Sequence, residues 1–81
     1  MKVKVKFWSY FRDHTDCDET VVEIEDNATL ADLVTSVHNK FPKLAGTEKS
    51  TLKAVGLDYQ NDDYILSEGD EISLFPPVQG G

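Results

Sequence analysis

Glu71-Ile72-Ser73-Leu74-Phe75-Pro76-Pro77-Val78-Gln79-Gly80-Gly81 reads as a strand that runs directly into an arm. Ile72 and Leu74 share one face of that strand, which leaves Phe75 on the other face as an exposed apolar residue. Pro76 and Pro77 each fix φ at roughly −65° and bring no N–H. The ladder should therefore stop at Phe75, and the chain should leave the sheet extended, projecting and not packing. Gly80 and Gly81 have no Cβ, so the tip can enter a channel too narrow for a side chain and present its terminal carboxylate to chemistry inside a partner. A terminal Gly-Gly alone is also what a frayed end looks like; the strand and the two prolines give this one a direction. The chain divides into a folded domain over 1–75 and a tail over 76–81.

Working back from the tail, Ser67-Glu68-Gly69-Asp70 is a turn. Tyr59 and Tyr64 bracket the polar stretch Gln60-Asn61-Asp62-Asp63, which predicts a short strand on each side of it. Thr51-Leu52-Lys53-Ala54-Val55 reads as a strand broken by Gly56, and Lys43 to Ser50 as a connection with Gly46 as its break. Leu30, Leu33, Val34, Val37 and Phe41 recur at spacings of three and four and predict an amphipathic helix of about three turns. Asn27 or Thr29 can cap it, Asp32 is placed for a capping box on Thr29, and Pro42 ends the pattern. His38 lies at the edge of the apolar stripe and reads as a boundary residue.

At the start of the chain Lys-Val-Lys-Val-Lys-Phe alternates strictly, with Val3, Val5 and Phe7 on one face and Lys2, Lys4 and Lys6 on the other. Reading this strand from Lys2 to Phe11 puts Trp8 and Tyr10 on the lysine face and Phe11 on the core face. An exposed tryptophan is a candidate contact residue. Thr20-Val21-Val22-Glu23-Ile24-Glu25 is the second strand, forming a hairpin with the first through a polar loop over Arg12 to Glu19. That loop holds Asp13, His14, Asp16, Cys17, Asp18 and Glu19, all of them metal-ligand types, but without a zinc spacing it reads as a solvated acidic loop. Cys17 has no visible basic neighbour to activate its thiol.

The chain has 81 residues and a formal net charge of −7. That length gives one domain with a modest core. The charge disfavours nucleic acid and anionic lipid as ligands and favours a basic protein partner. A single cysteine excludes an internal disulfide and fits a reducing compartment. With neither a bilayer-length apolar run nor a signal-peptide pattern, a soluble, cytoplasmic protein is expected. Paired carboxylates in an apolar setting, a nucleophile with a positioned base and a phosphate loop are all missing from the sequence, which argues against a self-contained enzyme.

Strand, strand, helix, strand, short strands and a last strand give an α+β fold, a mixed sheet of about five strands with one face on one main helix. The order matches the β-grasp topology of ubiquitin. The run from Leu66 to Gly81, with its Gly69-Asp70-Glu71 turn, apolar strand, Pro76-Pro77-Val78 and terminal Gly80-Gly81, resembles the C-terminal signature of the molybdopterin synthase small subunit family. Lys4-Val5-Lys6-Phe7-Trp8, Arg12-Asp13 and Leu52-Lys53-Ala54-Val55 are similar to that family too. Gly56-Leu57-Asp58 replaces the family's asparagine-glycine type of turn, and the acidic loop around Cys17 is unusual for it.

The resemblance implies a ubiquitin-like sulfur carrier with no cofactor or metal of its own. An ATP-dependent adenylating enzyme would activate Gly81 as an acyl adenylate, and a sulfur donor protein would supply the sulfur for a C-terminal thiocarboxylate. The tail would insert into the synthase large subunit, and sulfur would pass to cyclic pyranopterin monophosphate in molybdenum cofactor synthesis. Two small subunits would flank a large-subunit dimer. The reactive positions carry over to Gly80 and Gly81, the partner-facing apolar positions to Trp8, Phe75 and Tyr59, and the inserted stem to Pro76, Pro77 and Val78. The same chemistry would serve a carrier for thiazole formation or tRNA thiolation. A ubiquitin-like protein modifier joined to lysines, and a plain interaction module with an inert tail, are rivals of other classes.

Overall fold

A computed structural model of the chain describes residues 1–44, 46–47 and 50–76. The elements are β1 (Lys2–Phe7), a short helix α1 (Phe11–Thr15), β2 (Glu19–Glu23), the main helix α2 (Leu30–Lys40), a 3-10 turn (Pro42–Leu44), β3 (Leu52–Val55), β4 (Asp58–Tyr59) and β5 (Glu71–Phe75). The sheet order is β2-β1-β5-β3-β4. β1 and β5 pair in parallel at the centre, and the other neighbours are antiparallel. This is the mixed five-stranded β-grasp sheet that the element order implied.

Alternation settles the central strands. Val3, Val5 and Phe7 of β1 are buried, as are Ile72 and Leu74 of β5. The register Val5↔Ile72 and Phe7↔Leu74 sets them side by side on the inner face. α2 lays Leu30, Leu33, Val34 and Val37 against that face, all of them buried. Its start is fixed by a reciprocal capping box: the Asp32 N–H donates to Thr29 Oγ1 at 3.2 Å, and the Thr29 N–H to Asp32 Oδ2 at 2.9 Å. Together these bonds satisfy two of the donors that a helix start leaves unpaired. Asn27, the other cap candidate, instead takes a left-handed φ of 67° in the turn before the cap.

Four sequence expectations are corrected. The first strand ends at Phe7, not Phe11, because Ser9 takes a φ of 55° and turns the chain into α1. Phe11 and Thr15, four residues apart, bury the inner side of that turn. The Thr15 hydroxyl lies 3.0 Å from both the Phe11 and Cys17 carbonyl oxygens, tying the end of α1 to the acidic loop. The strand expected around Tyr64 reduces to a single bridge between Ile65 and Thr29. The connection after Pro42 contributes Leu44, fully buried, to the core. Finally, Pro76 is buried, although the tail was expected to leave the body there. The same period of two that buries Ile72 and Leu74 carries Pro76 to the inner face, even though the ladder stops at Phe75 as its missing N–H requires.

Candidate functional site at the root of the tail

Among the described residues the outer face of the sheet carries no helix, and its two halves differ. On the β1–β2 side Lys2 pairs with Glu23, Lys4 with Glu19 and Lys6 with Glu71, at 3.8, 3.4 and 3.2 Å. These exposed pairs are worth at most about 1 kcal/mol each. Their main effect is to cancel the lysine charge on an acidic molecule. On the β5–β3–β4 side the register Leu52↔Phe75, Ala54↔Ser73 and Ala54↔Tyr59 puts uncharged residues on the outer surface.

Backbone pairing brings Trp8, Phe75 and Tyr59 together there. The Trp8 N–H donates to the Leu74 carbonyl at 3.2 Å, extending the β1–β5 ladder by one residue and seating Trp8 beside Phe75. The two rings stack with centroids 5.6 Å apart and planes 16° apart. Tyr59 meets Phe75 from the other side, edge on, at 6.2 Å. Trp8 is 43% exposed, Tyr59 69% and Leu52 38%, whereas Phe75 is half-buried between its neighbours. Ala54 and Ser73 are small and buried, so the patch has a low floor behind an aromatic rim.

The three aromatic positions proposed from sequence thus form one surface at the point where the chain leaves the sheet. Phe75 is less exposed than strand parity alone suggested, because the Trp8 stack covers it. Leu52 was missed as a member; its outward orientation depends on the antiparallel register with Phe75, which the sequence of β3 does not reveal. Pro76, the next residue after Phe75, is buried. Pro77, Val78, Gly80 and Gly81 lie outside the described residues.

The neighbouring hairpin turn is well defined. Gly56 has a φ of 60°, Leu57 follows it fully exposed, and Val55 pairs with Asp58. Glycine first in a two-residue loop is the arrangement of a type II′ turn, which matches strand twist. Lys53 points inward, its Nζ 2.9 Å from Asp62, so its charge is matched and withdrawn from the patch. In the turn before β5, Tyr64 donates to Asp70 at 3.5 Å, and burial, with the Asp70 charge beside it, raises the phenol above its ordinary value. Among the described residues no group of His, Cys, Asp and Glu side chains is arranged to hold a metal ion. Cys17 is half-buried, and none of its described neighbours is a lysine or arginine nitrogen bonded to the thiol.

The described residues thus place an uncharged aromatic surface at the point where the final strand ends and the tail begins. The ThiS family model matches residues 5–81. The chain belongs to the ThiS family.

Three relatives resemble this ThiS-family chain over its whole length. Molybdopterin synthase sulfur carrier subunits from Chlamydomonas reinhardtii and Mycobacterium tuberculosis are 29% and 30% identical, covering all of this chain and 100% and 99% of theirs. Small archaeal modifier protein 3 of Haloferax volcanii is 28% identical with full coverage of both chains. Among solved structures, SAMP1 from Haloferax volcanii superposes with a TM-score of 0.90 at 19% identity over all of both chains. A complex of subunits 1 and 2 of the molybdopterin-converting factor from Helicobacter pylori contains a chain that superposes with a TM-score of 0.69 at 24% identity, again over both full lengths. At these identities the two structures speak to the shared fold. Among the described residues no helix is long and apolar enough to cross a membrane.

Proposed function

We propose that this chain is the sulfur carrier subunit of a molybdopterin synthase. The observation that carries the reading is the Trp8–Phe75–Tyr59 surface at the root of a Gly80-Gly81 terminus, in a chain that aligns end to end with sulfur carrier subunits of that enzyme. The chain contributes the reactant, and its partners contribute the catalytic groups. On an adenylating enzyme the Gly81 carboxylate attacks the α-phosphorus of ATP, pyrophosphate leaves, and the carboxyl carbon becomes electrophilic as an acyl adenylate. Hydrosulfide released from a donor protein then attacks that carbon, AMP leaves, and a thiocarboxylate remains. The aromatic surface docks on the synthase large subunit and the tail carries that sulfur to cyclic pyranopterin monophosphate. The Helicobacter pylori subunit pair offers a precedent for such docking by a chain of this fold. The partner assembly we propose is a large-subunit dimer with one carrier at each end, in the cytoplasm.

The test is intact mass spectrometry after incubation with the cognate adenylating enzyme, ATP and a sulfur donor. Replacing one carboxylate oxygen by sulfur adds about 16 Da, and that shift is expected only with all three components present. A second reading rests on the likeness to the archaeal modifier: the same adenylate can acylate a lysine amine. Isopeptide-linked conjugates without the thiocarboxylate shift would favour it.

A further inference from the structure

The charge distribution around Trp8 goes beyond this docking surface. Among the described residues, Lys2, Lys4, Lys6 and Lys53 each have a carboxylate partner, and Lys40 donates to Thr20 Oγ1 at 3.0 Å. Arg12 and Lys43 are the two described cationic side chains with neither an ion pair nor a hydrogen bond. Lys43 sits on the 3-10 turn. Arg12, the chain's one arginine, is placed differently. It is exposed on α1 and lines a hollow of about 220 Å³ with Lys6, Phe7, Trp8, Asp18 and Glu19.

An unpaired guanidinium in a chain with 15 acidic residues against 8 basic ones needs an explanation. Asp13 adjoins it in sequence and Asp18 lines the same hollow, yet neither forms an ion pair with it. Lys6 and Glu19 in the hollow's wall are already engaged, with Glu71 and Lys4. Trp8, with the Phe7 that precedes it, supplies the apolar part of the lining. A planar five-donor fork beside an indole, on the margin of an uncharged docking surface, suits a carboxylate, which it can bind through two parallel hydrogen bonds. The lysine charges along the same face are cancelled, so Arg12 is the positive feature that an approaching surface would meet at this corner.

We infer that Arg12 is a specificity contact for an aspartate or glutamate side chain of the large subunit, received in the hollow beside Trp8 when that subunit covers the aromatic patch. The inference rests on the docking reading above and adds to it a charged residue that fixes orientation. It also qualifies the expectation from net charge: a partner broadly complementary to an acidic molecule must present one acidic group at this position.

The experiment measures the affinity of the full chain for its cognate large subunit by titration calorimetry, for wild type, Arg12→Gln, Arg12→Lys and Trp8→Ala, with the thermal midpoint of each variant as the folding check. Truncating one partner of a desolvated charge pair typically weakens binding by tenfold or more. Arg12→Gln is expected to weaken binding by at least about fivefold, allowing for partial exposure of the pair, and Arg12→Lys to recover part of the loss because it keeps charge but not the fork. If Arg12→Gln loses less than that while Trp8→Ala still weakens the complex, the Arg12 contact is overturned and the docking surface stands. If neither variant weakens it, both fail. A loss with Arg12→Gln alone keeps the Arg12 contact and moves the docking surface away from the aromatic patch.

Discussion

Truncation of Trp8 to alanine is the perturbation whose size can be worked most directly from the fold. A tryptophan side chain buries about 150–250 Å² when fully covered. With 43% of its surface still open, about 65–110 Å² remains for a partner to cover. At about 25 cal/mol per Å² that area is worth about 1.6–2.7 kcal/mol, or roughly 15- to 100-fold in Kd. The estimate agrees with the loss of about 2 kcal/mol or more typical of an aromatic anchor at the centre of an interface. Folding should suffer as well, because the mutation also removes the part of the ring already covered in the fold and its stack on Phe75, the latter worth about 0.5–1.5 kcal/mol, while the inner face stays intact. Phe75→Ala should weaken binding as well, with a larger cost to stability, since Phe75 is half-buried between Trp8 and Tyr59. The assay is calorimetric titration against the large subunit, with circular dichroism to establish that the domain is folded. A folded Trp8→Ala protein that binds within about threefold of wild type would refute the assignment of this surface, because so small a change is well below the area estimate.

Leu33→Ala opens the fully buried centre of α2 and should cost about 2–5 kcal/mol, read from chemical denaturation. Thr29→Ala removes the Oγ1 acceptor of the Asp32 N–H, one half of the capping box, and should cost about 0.5–2 kcal/mol, with no effect on the outer face. Deleting Gly80-Gly81 should leave the thermal midpoint nearly unchanged while abolishing the 16 Da shift of about one oxygen-to-sulfur exchange; a large loss of stability would mean that the tip packs on the body. Gly81→Val should fold and dock as wild type does, yet fail in adenylation, because a branched side chain beside the reacting carbonyl restricts φ/ψ and fills the channel.

What could be read from the sequence follows from how local each signal is. The alternation in Lys2–Phe7, the spacing of Leu30, Leu33, Val34 and Val37, and the Thr29–Asp32 box each span one element and survive intact in the fold. Helix α1 is only five residues long; its signal was a single i, i+4 pair, Phe11 and Thr15, among charged residues. Around Tyr64 the apolar residues were visible, but a strand needs a neighbour to pair with, and the sheet offers this stretch just the bridge at Thr29. Burial of Leu44 and Pro76 depends on where the chain lies after a turn and after the final strand, which composition does not convey. The site was legible as members but not as an arrangement. Trp8, Tyr59 and Phe75 were identified one at a time, by parity or by resemblance, whereas their stacking, the inclusion of Leu52 and the isolation of Arg12 arise from the order β2-β1-β5-β3-β4.

The central claim is that Gly81 carries sulfur to the pterin, and single-turnover transfer tests it most directly. Thiocarboxylated carrier is mixed with the large subunit and cyclic pyranopterin monophosphate, and the carrier's mass and the pterin product are followed together. A dithiolene holds two sulfur atoms, so the account predicts that the carrier loses about 16 Da as product appears, at two carriers consumed per dithiolene. Dithiolene formed while the carrier keeps its thiocarboxylate, or a thiocarboxylate spent without any sulfur reaching the pterin, would contradict it.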